Sequence, residues 1–266
     1  MTEKRGELWG ASDAYEMYMG RWSRRIAPQF LSWLGPASDA SWVDIGCGTG
    51  VLCEAILLGC SPKAVLGIDS SAAFVEAATS RIKDARFKGE QGSAEAVGAA
   101  DESMDYAVSG LLLNFVPDKA RSIEEMVRVT VPGGKSALYV WDYAGHMQIM
   151  RHFFDAALEL DANAKEYDDG IKAPICRPAP LRQLFEGAGL KRVSVEAIDI
   201  PTSFESFAEY WKPFLGGTGS APKYFASLDP ESQVKLEKKV RQRIPTGPDG
   251  EILLAARAWA VQGTKD

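Results

Sequence analysis

The chain has 266 residues, 46% of them apolar, with a formal net charge of −6. That is enough apolar material for one well-buried α/β domain, or one domain with a sizeable insertion. It is the wrong charge balance for a protein that neutralises a nucleic-acid backbone. The start of the chain lacks the apolar core of a signal peptide, and no run of 18 apolar residues occurs anywhere, so a soluble cytoplasmic protein with no membrane contact is expected. Four cysteines without a CxxC pair and only two histidines give no expectation of a metal site.

In chain order, "AYEMYMGRWSRRIAPQFLSWL" reads as a leading amphipathic helix, on which Tyr15, Tyr18 and Arg21 fall about one turn apart. "SWVDIG" then predicts a strand, followed by a helix over "GVLCEAILLGC". "AVLGID" predicts the next strand, followed by a helix over "SAAFVEAATSRIKDA". "ARFKGEQG" is a third, weaker strand and "MDYAVSG" a fourth, followed by a helix over "DKARSIEEMVRVT" and a fifth strand over "KSALYVWDY". Strict alternation of strand and helix implies parallel strands joined by right-handed crossovers. The second half changes character. "HMQIMRHFFDAALELDANA" and "APLRQLFEGAG" read as helices, and "KRVSVEAIDI" and "EILLAARAWAVQGT" as closing strands. Between those strands, residues 201–250 form a helical excursion rich in aromatics, Gly and Pro, with a loop at "GGTGSAP".

The chemistry-bearing motif is "VDIGCGTGVL", three glycines in five positions between a strand and a helix. Glycine there lets a ligand touch the main chain at the positive end of a helix. A dinucleotide fingerprint is G-x-G-x-x-G, whereas this chain has G-x-G-x-G with Val51 in place of the third glycine. Asp69, ending the second strand, can accept both hydroxyls of a ribose. Dinucleotide and nucleoside sites share that feature, and an Asp in this place can also be a plain helix cap.

Taken together, "VDIGCGTG", "GIDSS", "QGSAEAV", "MDYAVSGLLLNFVPD" and "VRVTVPGGK" resemble the ordered motif set of class I S-adenosylmethionine-dependent methyltransferases, and are most similar to the ubiquinone and menaquinone biosynthesis branch. The resemblance covers residues 10–145. It implies a doubly wound seven-stranded Rossmann-like sheet, order 3-2-1-4-5-7-6 with the seventh strand antiparallel. A single domain over residues 1–266 is expected, with 10–145 as the cofactor-binding half and 146–180 and 201–250 as acceptor-side lid insertions.

The resemblance also implies roles. Gly46 and Gly48 would lie against the methionine part of S-adenosylmethionine, with Asp44 holding the loop near the ammonium and Cys47 contributing backbone only. Asp69 would take the ribose hydroxyls and Ser70 would line the adenine. Ser93 stands where the family usually has the Asp that receives the adenine amino group, and Ala94 would offer its N–H to the ring. Ser109 and Leu111 would follow the fourth strand beside the cofactor. Tyr15, Tyr18 and Arg21 would belong to the helix that covers it, with Arg21 as a fork for its carboxylate.

"SGLLLNF" lacks the Asn/Asp-Pro-Pro-aromatic loop of base-amine methyltransferases, so a small organic acceptor is expected rather than a nucleobase. Candidate acceptor contacts are Asn114, Trp141, Asp142, Tyr143, His146, His152 and Trp211. A nucleotide-cofactor oxidoreductase and a non-catalytic S-adenosylmethionine-binding partner protein stand as alternatives. The sequence leaves oligomeric state open.

Overall fold

A computed structural model describes residues 21–216 and 219–266. Seven strands form one sheet: β1 Ser41–Ile45, β2 Ala64–Asp69, β3 Phe87–Gln91, β4 Met104–Gly110, β5 Thr130–Trp141, β6 Lys191–Phe204 and β7 Ile252–Thr264. Their order is 3-2-1-4-5-7-6. The pairs β1–β2, β1–β4, β2–β3 and β4–β5 are parallel, while β5 and β7 are antiparallel, as the resemblance implies. The order reverses between β1 and β4, which places the switch point of the sheet beside the glycine loop.

The helices that flank these strands are α1 Arg21–Leu34, α2 Val51–Gly59, α3 Ala72–Arg81, α4 Lys119–Val129 and α7 Pro178–Gly187. Four of the five residues of β1 are buried, as are four central residues of β4, because strands covered on both faces carry no polar side. Trp42 and Tyr106 are register partners on β1 and β4, and their rings stack at 4.3 Å. Phe30 of α1 packs on Tyr139 of β5 at 4.8 Å.

The described chain resolves into two compact units. The sheet unit takes Ser23–Trp141, Ile175–Ile198 and Ala258–Asp266. Among the described residues, the second unit takes Arg21, Trp22, Asp142–Pro174 and Asp199–Arg257. It contains α5 Gln148–Leu160, the short α6 Asp169–Lys172, α8 Phe207–Trp211, α9 Ser220–Ser227 and α10 Pro230–Arg243. Its core is a ring cluster. Phe153 lies 4.7 Å from Phe214 and 5.9 Å from Trp211, and Trp211 lies 5.3 Å from Phe225. Arg151 is pinned inside it, with its two Nη atoms 3.1 and 2.7 Å from the oxygens of buried Asp168.

Several element boundaries differ from the sequence expectation, β5 among them, which starts at Thr130 rather than Lys135; four have a local cause. The helix after β2 stops at Arg81, because Ile82 turns extended and packs under the glycine loop. The helix expected from His146 begins only at Gln148, because the Asp142 carboxylate accepts the N–H groups of Gly145 and His146 and holds a turn there. It ends at Leu160, where Asp161 turns extended and caps a short 3₁₀ segment, Ala162–Glu166. β6 runs on through Pro201 to Phe204, which is permitted because β6 is an edge strand and a missing N–H can face outward.

Candidate active site

The glycine loop leaves β1 and folds back over β2. The N–H groups of Gly46 and Cys47 both donate to the Ile68 carbonyl, at 2.7 and 2.9 Å. Gly46, Gly48 and Gly50 have φ of +75°, +53° and +85°, the left-handed region that costs an ordinary residue roughly 1–2 kcal/mol. Packing then separates the three. A Cβ on Gly46 would lie 2.5 Å from Leu112 Cδ2, and one on Gly50 2.8 Å from Ile82 Cδ1. One on Gly48 would meet nothing within 4 Å. The outer two glycines are needed by the protein's own packing, while the middle one leaves its backbone open.

Asp69 is not the cap of α3. Ser71 fills that place, accepting from the Phe74 N–H at 3.4 Å. The Asp69 carboxylate instead joins the loop to the strand end: Oδ2 accepts from Gly48 N–H at 2.9 Å and Oδ1 from Ser71 N–H at 2.8 Å. A carboxylate has about four lone-pair sites, so acceptor capacity remains on each oxygen. Asp44, 1% exposed, sits behind the loop. Its Oδ2 accepts the Cys53 thiol at 3.1 Å, and its Oδ1 has no partner among the described residues. Burial, with a smaller contribution from the charge of Asp69, pushes the Asp44 carboxyl up to about 7 against the favourable Cys53 bond.

A cleft of about 350 Å³ opens beside the loop. Its walls include Gly46, Asp69, Ser70, Ser93, Ala94 and Phe115. That volume falls in the roughly 300–1,000 Å³ range of small-molecule sites. The structure thus brings five of the expected cofactor residues together. Leu112 rather than Leu111 lines this cleft. Leu111 itself is buried with φ +61°, a strained conformation for a residue with a Cβ, held by its N–H bond to the Tyr139 carbonyl at 2.8 Å. Ser109 is also buried, and its hydroxyl donates to the Ile45 carbonyl at 2.6 Å, so it ties β4 to β1. Cys47 is 6% exposed and its thiol faces the Gly48 carbonyl.

Phe115, on the 3₁₀ turn Leu113–Phe115, was not singled out from the sequence, although it is 68% exposed at the cleft. The available signal was an apolar run placed directly after a strand end, "LLLNF". Asn114 on the same turn is half-buried.

The remaining candidates are placed as follows. Trp141 ends β5 and is 1% exposed. Tyr143 is buried, and its carbonyl accepts from Arg151 Nη1 at 3.1 Å. His146 is exposed. His152 is half-buried on α5, and desolvation holds its imidazole below the ordinary value, with Asp155 opposing and Arg243 assisting. Trp211 is in the ring cluster. The Arg21 guanidinium lies over the rings of Trp22 and Phe204 at 4.2 and 4.6 Å and pairs with Glu209 at 2.8 Å, so it is already committed to an acid. Tyr15 and Tyr18 lie outside the described residues.

The charge around the loop discriminates between cofactors. A pyrophosphate needs free N–H groups and a positive potential. Here the Gly48 N–H is already given to a carboxylate, and a second carboxyl lies behind it. That arrangement suits a ligand carrying positive charge. The family profile described as a methyltransferase domain matches residues 43–138, from β1 to β5. A trans-aconitate 2-methyltransferase of Deinococcus radiodurans is 27% identical over 216 residues, covering 80% of this chain and 81% of that protein. A demethylmenaquinone methyltransferase of Shouchella clausii is 28% identical over 177 residues, covering 60% and 74%. The chain is a class I S-adenosylmethionine-dependent methyltransferase. Among solved structures, phosphoethanolamine N-methyltransferase 2 of Haemonchus contortus, in complex with S-adenosyl-L-methionine, has the methyltransferase's fold with a TM-score of 0.61 at 17% identity, covering 96% of this chain and 56% of that one. Membership of the methyltransferase family makes S-adenosylmethionine the cofactor, and the nucleotide-cofactor oxidoreductase reading falls away.

Proposed function

We propose that this methyltransferase methylates a small organic acceptor, with the adenosine end of its cofactor in the cleft bounded by Asp69, Ser93 and Phe115. The observation that carries the reading is the pair of carboxyl groups, Asp44 and Asp69, at a glycine loop whose central residue leaves its backbone open. Bound S-adenosylmethionine supplies an electrophilic methyl group on a sulfonium sulfur.

The chain's own residues bind and orient. Asp69 keeps lone pairs for two ribose hydroxyls beyond those given to Gly48 and Ser71. The Ser93 hydroxyl oxygen already accepts the Glu95 N–H at 3.1 Å and still has its proton to donate, and Ala94 offers its backbone. Phe115 gives an apolar wall for a ring. Asp44, with an unpartnered buried oxygen, favours a ligand cation and would be drawn to its ionised form by one.

For the acceptor we assign Asn114, Trp141, Tyr143, His146, His152 and Trp211, with 146–180 and 201–250 as the acceptor-side segments. His152, kept neutral by its burial, can take a proton from a protonated nucleophile if the acceptor needs it. Relatives that align along most of the chain are named for trans-aconitate, so small carboxylic acids head the acceptor panel. We place this chemistry in the cytoplasm. The four cysteines are free thiols, the state a reducing compartment maintains. No helix among the described residues is long and apolar enough to cross a membrane.

Titration calorimetry with S-adenosylhomocysteine and with NADH tests the cleft. Binding of the first alone is expected, and binding of NADH alone would overturn it. Labelled S-adenosylmethionine incubated with small carboxylic acids, quinols and amines should then yield a methylated product by mass spectrometry. If only nucleic acid or protein becomes labelled, the small-acceptor reading is wrong.

A further inference from the structure

The loop between β3 and β4 carries Ser93 and Ala94, and from within it is ordered by an isolated bridge between Ser93 and Ala96 and by short-range bonds to the Ser93 hydroxyl and the Ala100 carbonyl. One face of α4 does the rest. Arg121, Glu125 and Arg128 follow at spacings of four and three, so they stand on the same side of the helix. The Glu125 side chain is 2% exposed. Its Oε1 accepts from Arg121 Nη2 and from Arg128 Nε, both at 2.9 Å. Its Oε2 accepts from Arg128 Nη2 and from the backbone N–H of Val97, both at 2.8 Å. Arg128 continues into the loop, donating to the carbonyls of Val97 at 2.7 Å and Ala99 at 3.0 Å.

The same helix also binds the two rims of the cleft to each other. Glu95 Oε1 accepts from the N–H of Asp118, the N-cap of α4, at 2.7 Å, and Arg121 Nε donates to the Glu95 carbonyl at 3.3 Å. Glu95 and Ser93 line one side of the cleft, while Phe115 and Pro117 line the other. A buried carboxylate is expensive unless fully paired, and this one is paired on every side. A connection between two strands needs no such anchor; a recognition loop does.

We propose that Glu125 is a positioning residue for cofactor recognition. Through the Val97 N–H and through Arg128 it sets Ser93 and Ala94 at a fixed distance from the turn 113–117. It touches no ligand. The proposal rests on the assignment of the cleft to the adenosine end of the cofactor. Glu125→Gln keeps the shape but turns one acceptor into a donor that faces an arginine fork. Arg128→Lys keeps the charge but cannot reach Glu125, Val97 and Ala99 together.

The test is titration of the full chain with S-adenosylhomocysteine and with 5′-methylthioadenosine, which lacks the amino-acid part. Both variants should weaken both ligands by roughly five- to thirtyfold, the effect of one impaired charge-assisted contact network. The loss should be equal for the two ligands, because it arises at the adenosine end. In a double-mutant cycle, Ser93→Ala should cost less in the Glu125→Gln background than in the wild type. A lowered melting temperature with unchanged dissociation constants would reduce Glu125 to a structural anchor and overturn the proposal. So would full additivity with Ser93→Ala. If Glu125→Gln fails to fold, Arg128→Lys decides alone. A wild-type chain that binds neither ligand refutes the cleft assignment itself, an outcome separate from loss of binding in the variants only.

Discussion

The two units of this methyltransferase are held together by different chemistry. The sheet unit buries aliphatic strands and spends its polar side chains on the main chain. Asp69 serves Gly48 and Ser71, Ser109 serves Ile45, and Glu125 serves Val97. The second unit buries rings and one paired guanidinium, with Phe153, Trp211 and Phe214 around a centre that α5 and the helices after β6 supply. In the sheet unit the polar groups fix loops, and loops bind ligands. In the ring unit the aromatic side chains fix helices to one another. Substitutions of those loop-fixing polar groups should therefore register in cofactor affinity, and substitutions in the ring cluster in stability.

The largest expected effect sharpens this contrast through pH. The fold disfavours the ionised form of Asp44, whose carboxyl is raised from 3.8 to about 7, whereas the unfolded chain ionises it near its ordinary value. The site costs nothing below about pH 4, and the cost grows as pH rises through about 7. It then reaches roughly 4 kcal/mol, since each pH unit between the two values is worth about 1.4 kcal/mol. Urea unfolding of the ligand-free protein from pH 4 to pH 8 should show this loss, and Asp44→Asn should remove most of it. An unchanged pH profile in the variant would mean that Asp44 is not the group responsible.

Phe153→Ala comes next. Phe153 has no exposed surface and meets Phe154, Trp211, Phe214 and Tyr224, so deleting its ring should cost about 3–4 kcal/mol. Affinity for S-adenosylhomocysteine, measured well below the melting temperature, should change little. A loss of affinity as large as the loss of stability would break the division between the two units.

Asp69→Ala should weaken S-adenosylhomocysteine by roughly ten- to a hundredfold, the worth of hydrogen bonds to a charged group. The variant also strands the Gly48 and Ser71 N–H groups, so stability must be measured beside affinity. Asp69→Asn keeps one acceptor and should fall between the wild type and the alanine variant. An unaltered dissociation constant would remove Asp69 from the site.

The smallest effect on stability is expected from Gly48→Ala. No atom lies near the new Cβ, so only the left-handed backbone costs, about 1–2 kcal/mol. Affinity should fall by more than the stability change accounts for, because the added methyl group enters the space kept open for a ligand. If Gly46→Ala and Gly48→Ala behave alike in both measurements, the distinction between packing glycines and a ligand glycine is wrong.

The sequence by itself determined the sheet unit. Short apolar runs, helix patterns and glycines at strand ends are local signals that delimited β2 and β4 to the residue, while the strand order was implied by the family resemblance of the ordered motifs. Glycine spacing and the strand end pointed to Gly46 and Asp69, and the resemblance added Ser70, Ser93 and Ala94, because ligands in this architecture meet strand ends in a fixed order along the chain. Tertiary structure alone decided what the polar candidates do for the protein itself. That Ser109 is spent on Ile45, that Arg21 is spent on Glu209, and that Asp44 is left with an unpartnered oxygen are consequences of side chains brought together from distant positions. Phe115 and Glu125 stayed hidden for the same reason. In a sequence an exposed ring looks like a buried one and a buried acid like an exposed one, and only burial and partners, which are set by the packing of remote segments, tell them apart.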